Sequence, residues 1–297
     1  MNVFVTGGTG FVGREVVTQL LAAGHDVRCL VRRRAGSGLP EDKRITLVGG
    51  DVTDSATLTD ALLGCDAVIN LVGIIREFPR QGITFTRLHT EATRNLVMAA
   101  ESQQVSRFIQ MSANGTRADA VSAYHQTKWL AEEAVRGAAL QWTIFRPSLI
   151  FGRDDQFVNL LAGLLRKSPL LPIIGSGEYR LTPVAVSDIA AAFVRALTTP
   201  ESIGQLYHCG GPATFTYNEI VDLVAAALGK SVWKIHLPPA LLRPVVALLE
   251  GFPQFPLTRT QMLMLLEGNE CDPTAWRSAF DLQLAPFGTG ICDYLIA

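Results

Sequence analysis

The 297 residues carry 26 basic and 27 acidic side chains, a formal net charge of −1, and 48% of them are hydrophobic. That balance excludes a disordered chain and supplies no overall field for gathering nucleic acid, so the expected partner is a small-molecule substrate. Five cysteines, scattered and without C-x-x-C spacing, exclude a disulfide scaffold and a zinc ribbon and point to a reducing compartment.

Residues 2–6 read as a buried strand, from which a cytoplasmic protein without a presequence is expected. Further strands are expected at 26–31, 46–50, 67–71, 107–111 and 142–145, separated by helices at 11–23, 55–63, 86–101 and 121–136. In the first helix Val12, Val16, Leu20 and Ala23 share one face, and Gly24 fits the stop. The fourth carries Glu132 and Arg136 at i,i+4 spacing. This alternation builds an α/β fold, a doubly wound parallel sheet with helices on both faces.

After residue 151 the rhythm becomes turn-rich. A strand and helix return at 181–197, another strand at 205–209, and Thr216-Tyr217-Asn218-Glu219 forms a capping box for a helix ending at Gly229. The expected domains are therefore 1–151, with 181–209 returning to it, and a smaller lobe from 152–180 and 210–297. Mean hydropathy is high, +0.24. The most apolar late stretch, 236–252, is broken by Pro238, Pro239, Arg243 and Pro244 and falls short of a membrane span. It is expected as a proline-punctuated helix pair packed inside the lobe, with peripheral contact to a membrane or a complex as the alternative.

Gly7-Gly8-Thr9-Gly10-Phe11-Val12-Gly13 follows the first strand and opens the first helix, the context a dinucleotide fingerprint requires. Gly7 suits the tight turn, Gly10 an approach to the pyrophosphate and Gly13 close packing of helix on sheet. Where NAD-binding chains place an acid after the second strand, this one has Arg32 and Arg33, which fit a 2′-phosphate. NADP (NADPH) is the expected cofactor, with NAD possible. Asp51 and Val52 are placed to meet the adenine, and Leu71, Val72 and Gly73 lie beside the first turn at the switch point. Tyr124 and Lys128 are one helical turn apart, so the phenol and the ammonium share a face; the ammonium is expected to lower the phenol pKa for proton exchange at a carbonyl or alcohol. The five histidines have no ligand spacing, so no metal is expected, and His125 is expected on the surface. Asp154 and Asp155 are expected to cap a helix near Gln156.

With these motifs in order, the chain resembles the short-chain dehydrogenase/reductase superfamily in its extended, epimerase/dehydratase-like form, which implies a Rossmann fold with a smaller C-terminal lobe. Arg146-Pro147-Ser148-Leu149-Ile150-Phe151-Gly152 is similar to the family stretch whose backbone lines the nicotinamide, which implies roles for Pro147 and Ile150. The segments at 69–77, 124–128 and 145–159 resemble the atypical branch that contains the NAD(P)H-binding accessory subunit of respiratory complex I and its free-standing bacterial relatives. One departure stands out: Ala113 occupies the position where the family has a Ser or Thr for the reacting oxygen, with Ser112 one residue early and Thr116 three late. Two readings stand side by side. One is an NADP-dependent oxidoreductase or epimerase/dehydratase-type enzyme using Tyr124, Lys128 and Ser112. The other is a non-catalytic NADPH-binding protein that stabilises a partner complex.

Overall fold

A computed structural model describes residues 1–32, 38–252 and 255–296; Arg33 lies outside the described residues. The chain begins with β1 (Asn2–Thr6), α1 (Phe11–Ala22), β2 (Asp26–Val31), β3 (Ile45–Gly49), α2 (Ser55–Ala61) and β4 (Ala67–Asn70). A π-helical stretch, Thr86–Glu91, runs into α3 (Ala92–Ser102), followed by β5 (Arg107–Met111), α4 (Ala123–Arg136) and β6 (Gln141–Pro147). The second half carries β7 (Ile150–Phe151), α5 (Phe157–Lys167), β8 (Leu170–Ile174), β9 (Arg180–Leu181), β10 (Val184–Ala185), α6 (Val186–Ala196) and β11 (Gln205–Cys209). Then come β12 (Phe215–Thr216), α7 (Tyr217–Ala227), β13 (Trp233–Leu237), α8 (Pro239–Leu249) and three short C-terminal helices.

The main sheet has seven strands in the order β11-β6-β5-β4-β1-β2-β3, and the pairs from β3 across to β6 are parallel. The order reverses beside β1, so β1 and β4 splay their following loops apart and open a crevice at their C-terminal ends. Val3, Phe4 and Val5 are completely buried, as a strand covered on both faces requires. The strand edges agree with the sequence to within two residues. The expected helix at 86–101 is different in kind, because its first turns are π-helical.

Two compact units result. The first holds Met1–Pro147, Ser187–His208 and Thr274–Leu282; the second holds Ser148–Val186, Cys209–Pro273 and Gln283–Ala297. The first centres on Phe4, Leu58, Leu62, Val68, Leu96 and Phe108, the second on Val158, Leu161, Ile173, Ile220, Val224 and Ile291. In the second unit Asp155 accepts from the Val158 amide at 2.6 Å and so caps α5, and the Thr216/Glu219 capping box opens α7.

The stretch 236–252 departs from expectation. It forms one helix, α8, with Pro244 inside it, and only Val246 on that helix is buried. The structure therefore corrects the packed helix pair to a single helix that leaves Leu241, Val245 and Leu248 exposed. Among the described residues no helix is long and apolar enough to cross a membrane.

Candidate functional site: the strand ends of the first unit

The loop after β1 is built by contact with β4. Gly7 has φ +75°, and a Cβ there would lie 2.9 Å from the Leu71 carbonyl carbon and 3.1 Å from the Val72 nitrogen. Gly13 is tighter still, since its Cβ would fall 2.1 Å from the Gly7 oxygen. At Gly10 a Cβ would meet only that same oxygen, at 3.2 Å, so the outer side of the turn is open. Gly10 is also the N-cap of α1 and supplies no side-chain hydrogen bond to its first turn. Thr9 is exposed at the tip, Phe11 is half-buried and Val12 is buried. Close backbone packing below and unfilled space with helix amides above form a cradle that fits a pyrophosphate.

Beyond β2 and β3 the rim is basic. Arg32 is exposed, and its charge together with that of Arg87 acts on Asp51. Although burial works against ionisation, hydrogen bonds from the Thr53 amide (2.9 Å) and hydroxyl (2.8 Å), with those two cations, hold the Asp51 carboxyl below its usual value. Val52 is buried, and its carbonyl accepts from Asn95 at 3.2 Å. Arg87 donates to Thr53 at 3.1 Å, bringing to this rim a cation that lies far from it in sequence.

Lys128 is 2% exposed. Its Nζ donates to the Met111 carbonyl at 3.2 Å and, more weakly, to the Val72 carbonyl at 3.5 Å, so it reaches the ends of β4 and β5 together. Gly73 makes this possible, since a Cβ there would stand 2.9 Å from Nζ. Burial pushes the ammonium down to about 8, opposed by the Glu132 carboxylate. Beneath it runs a polar ladder: Thr6 donates to Asn70 (2.7 Å), Asn70 to Gln110 (2.9 Å), and Gln110 to the same Met111 carbonyl (3.1 Å). The ladder joins the strand carrying the glycine loop to the lysine through side chains that are at most 2% exposed.

Tyr124 lies one turn before Lys128, enclosed by Phe85, His89 and His125 with ring centroids 5.7, 5.2 and 5.2 Å away. Burial pushes its phenol up to about 12, correcting the lowered value expected beside an ammonium. His125 is likewise buried rather than on the surface, its ring packed where a Gly115 Cβ would be.

His89 is the residue that sequence reasoning missed. It stacks on Phe85 at 5.4 Å, and its Nδ1 lies 2.9 Å from the Thr127 hydroxyl. Its Nε2 lies 3.2 Å from the Ile74 amide nitrogen and 3.1 Å from the Ile74 carbonyl oxygen, and the Thr127 hydroxyl is itself 2.8 Å from the Ala123 carbonyl. Burial, then the Lys128 charge, drive its pKa down to about 2, leaving a neutral ring. The only local sign of it is its place on a π-helical stretch, a feature that recurs at functional sites but has no simple sequence mark.

Ser112 is placed differently from Tyr124 and Lys128. Its hydroxyl donates to Glu132 Oε1 at 2.5 Å. Fully buried Glu132 also takes a two-point contact from Arg146 (2.8 and 2.7 Å) and one from Arg136 at 2.5 Å. The expected Glu132/Arg136 pair is thus part of a buried cluster tying β5, α4 and β6 together. Pro147 closes β6 in the first unit, whereas Ile150 belongs to β7 in the second. The structure brings together the glycine loop, Leu71 to Gly73, Tyr124 and Lys128.

The chain is 32% identical over 254 residues to NADH dehydrogenase [ubiquinone] 1 alpha subcomplex subunit 9, mitochondrial, of Arabidopsis thaliana, covering 82% of this chain and 62% of that protein. It thus spans less than two thirds of the length of that relative. It is 31% identical over 245 residues to a ceramide reductase of Caulobacter vibrioides, covering 81% and 75%. Among solved structures, the UDP-glucuronic acid 4-epimerase of Bacillus cereus in complex with UDP-glucuronic acid and NAD has a TM-score of 0.76 at 20% identity, covering 100% of this chain and 99% of that one. That likeness is one of fold. A profile of the NAD dependent epimerase/dehydratase family matches residues 3–210. With its fold, its glycine loop and this match in agreement, the chain belongs to the NAD-dependent epimerase/dehydratase family of extended short-chain dehydrogenases, a family of NAD(P)-binding proteins.

Proposed function

We propose that the chain is an NADP(H)-dependent oxidoreductase that reduces a carbonyl, or oxidises the corresponding secondary alcohol, on a largely apolar substrate. The observation that carries this reading is Lys128, buried and held at the ends of β4 and β5 one helical turn from Tyr124. When bound, the nicotinamide supplies or accepts the hydride. Lys128 holds its ribose, and the loop from Gly7 to Gly13 holds its pyrophosphate. Tyr124, kept protonated by burial, gives its proton to the substrate oxygen, and the neighbouring ammonium stabilises the phenolate left behind. Arg32, with Arg33 beside it in sequence, favours the 2′-phosphate and takes the place after β2 where an acid would repel it. The apolar substrate class rests on the relative named ceramide reductase. Because Ser112 is engaged by Glu132, this reading assigns the reacting oxygen to Tyr124 and a water rather than to Ser112.

The test is NADPH oxidation with a panel of long-chain and polycyclic ketones. Tyr124→Phe should lower turnover by about a hundredfold while NADPH affinity stays the same. A fully active Tyr124→Phe protein overturns the assignment.

A second reading, a nucleotide-holding subunit without turnover, is favoured by Ala113 at the oxygen-binding position and by the mitochondrial complex subunit among the relatives. It requires Tyr124→Phe to be silent in every assay while Lys128→Met still weakens NADPH.

A further inference from the structure

In the second unit, β13 turns its apolar residues outward beside β8. Residues along a strand alternate between faces, and an apolar set is ordinarily turned toward the core. In β8, Leu171 and Ile173 are buried while Leu170 and Pro172 are exposed. In β13 the apolar Trp233 and Ile235 face outward, Trp233 at 72% exposure, whereas Lys234 on the other face pairs with exposed Asp222 of α7 at 2.7 Å. The parallel register sets Leu170 beside Trp233 and Pro172 beside Ile235, so the exposed apolar residues form a contiguous face.

From β13 the chain runs through Leu237 and Pro238 into α8. Leu241, Val245 and Leu248 follow one another at i, i+4 and i+7, the spacing of a single stripe, and Phe252 comes just past the end of the helix. All four are exposed, Leu248 at 77% and Leu241 at 65%. The helix turns a first apolar side, half-buried Leu242 and Leu249 with buried Val246, toward the unit and leaves this second stripe open.

Beside Trp233 opens a groove of about 350 Å³ lined by Arg166, Lys167 and Lys230, with Ser168, Ser231 and Pro169 between them. Among the described residues no acidic side chain lines it. Lys230 donates to the Leu165 and Arg166 carbonyls at 3.1 and 2.9 Å, which fixes its cation at the C-terminal end of α5. Exposed Trp233 and Leu170 next to a cluster of cations match the chemistry of a bilayer surface with anionic headgroups, where apolar side chains enter the acyl boundary and cations meet phosphate.

We infer that this face of the second unit, made of the groove, the outward side of β8 and β13 and the stripe on α8, docks on a bilayer that contains anionic phospholipid. The charge complementarity is local: the chain as a whole has a formal charge of −1, and attraction comes from the three cations of the groove. The inference does not depend on turnover or on the identity of the substrate.

The experiment is co-sedimentation of the full chain with vesicles of phosphatidylcholine alone and with added phosphatidylglycerol. Binding to the anionic vesicles should be about tenfold tighter or more and should weaken in high salt. Trp233→Asp combined with Leu248→Asp should reduce that binding about tenfold or more, and Lys167→Glu should reduce the preference for anionic lipid, with circular dichroism and NADPH affinity unchanged in both. Equal binding to the two vesicle types, or undiminished binding by the double variant, overturns the inference. Two further outcomes also overturn it: inorganic phosphate that binds the groove while vesicles do not, or a dimer in solution abolished by Leu248→Asp with no vesicle binding.

Discussion

At the scale of single residues, Lys128 gives the site its sensitivity to pH. Its ammonium is held down to about 8, while Tyr124 stays protonated to about 12 and His89 stays neutral above about 2, so Lys128 is the member of this group that titrates near pH 8. Ribose hydroxyls accept hydrogen bonds from the charged form, so a bound nucleotide raises the Lys128 pKa and takes up protons. Affinity should therefore be level below pH 8 and fall as pH rises above it, by up to about tenfold per unit, because each further unit depletes the binding form. Calorimetric titration across this range, in two buffers of different ionisation enthalpy, measures both the fall and the proton uptake. Lys128→Met should weaken binding at low pH and flatten the profile.

Cofactor choice is decided at the same scale. A charge-assisted contact from Arg32 is worth about 1.5–3 kcal/mol, so NADPH should bind about tenfold or more tightly than NADH. Titration of both nucleotides against wild type and Arg32→Ala measures it; an unchanged ratio in the variant would remove Arg32 from the 2′-phosphate site.

At the scale of elements, two glycines of one loop make opposite demands. A methyl group at Gly13 is driven into the Gly7 carbonyl at 2.1 Å, so Gly13→Ala should destabilise the protein by about 1–3 kcal/mol by forcing α1 away from the loop. At Gly10 the added carbon meets one oxygen at 3.2 Å, so Gly10→Val should fold and lose nucleotide because the branch fills the cradle. Thermal unfolding and NADPH titration of the two variants separate the effects. The Glu132 cluster acts between elements: removing the carboxylate leaves Arg146 largely buried without its partner, and Glu132→Ala should cost about 3–5 kcal/mol in denaturant unfolding. Glu132→Gln keeps a hydrogen-bond acceptor and should cost less.

At the scale of the whole molecule, the two units have separate cores, and the glycine loop, the basic rim, Tyr124 and Lys128 all belong to the first. Hydrogen exchange with and without NADPH should show protection concentrated at residues 7–14, 71–74 and 111–116, following the loops after β1, β4 and β5. Protection concentrated instead in α7 and α8 would move the nucleotide site to the second unit.

Much of this was legible in the amino-acid sequence, for local reasons. Strands buried on both faces appear as short apolar runs, and the glycine spacing, the capping box at Thr216 and Glu219, and the one-turn interval from Tyr124 to Lys128 each depend on neighbours a few residues away. The tertiary structure decided what depends on partners remote in sequence. His89 meets Thr127 across 38 positions, and Ser112 is drawn to Glu132 across 20. The phenol of Tyr124 is raised because distant aromatic rings exclude water from it, and a sequence shows the ammonium nearby but not the desolvation that outweighs it. The same holds for α8: its apolar stripe is written in the sequence, but whether that stripe is covered depends on where the rest of the chain lies, and there it is left open.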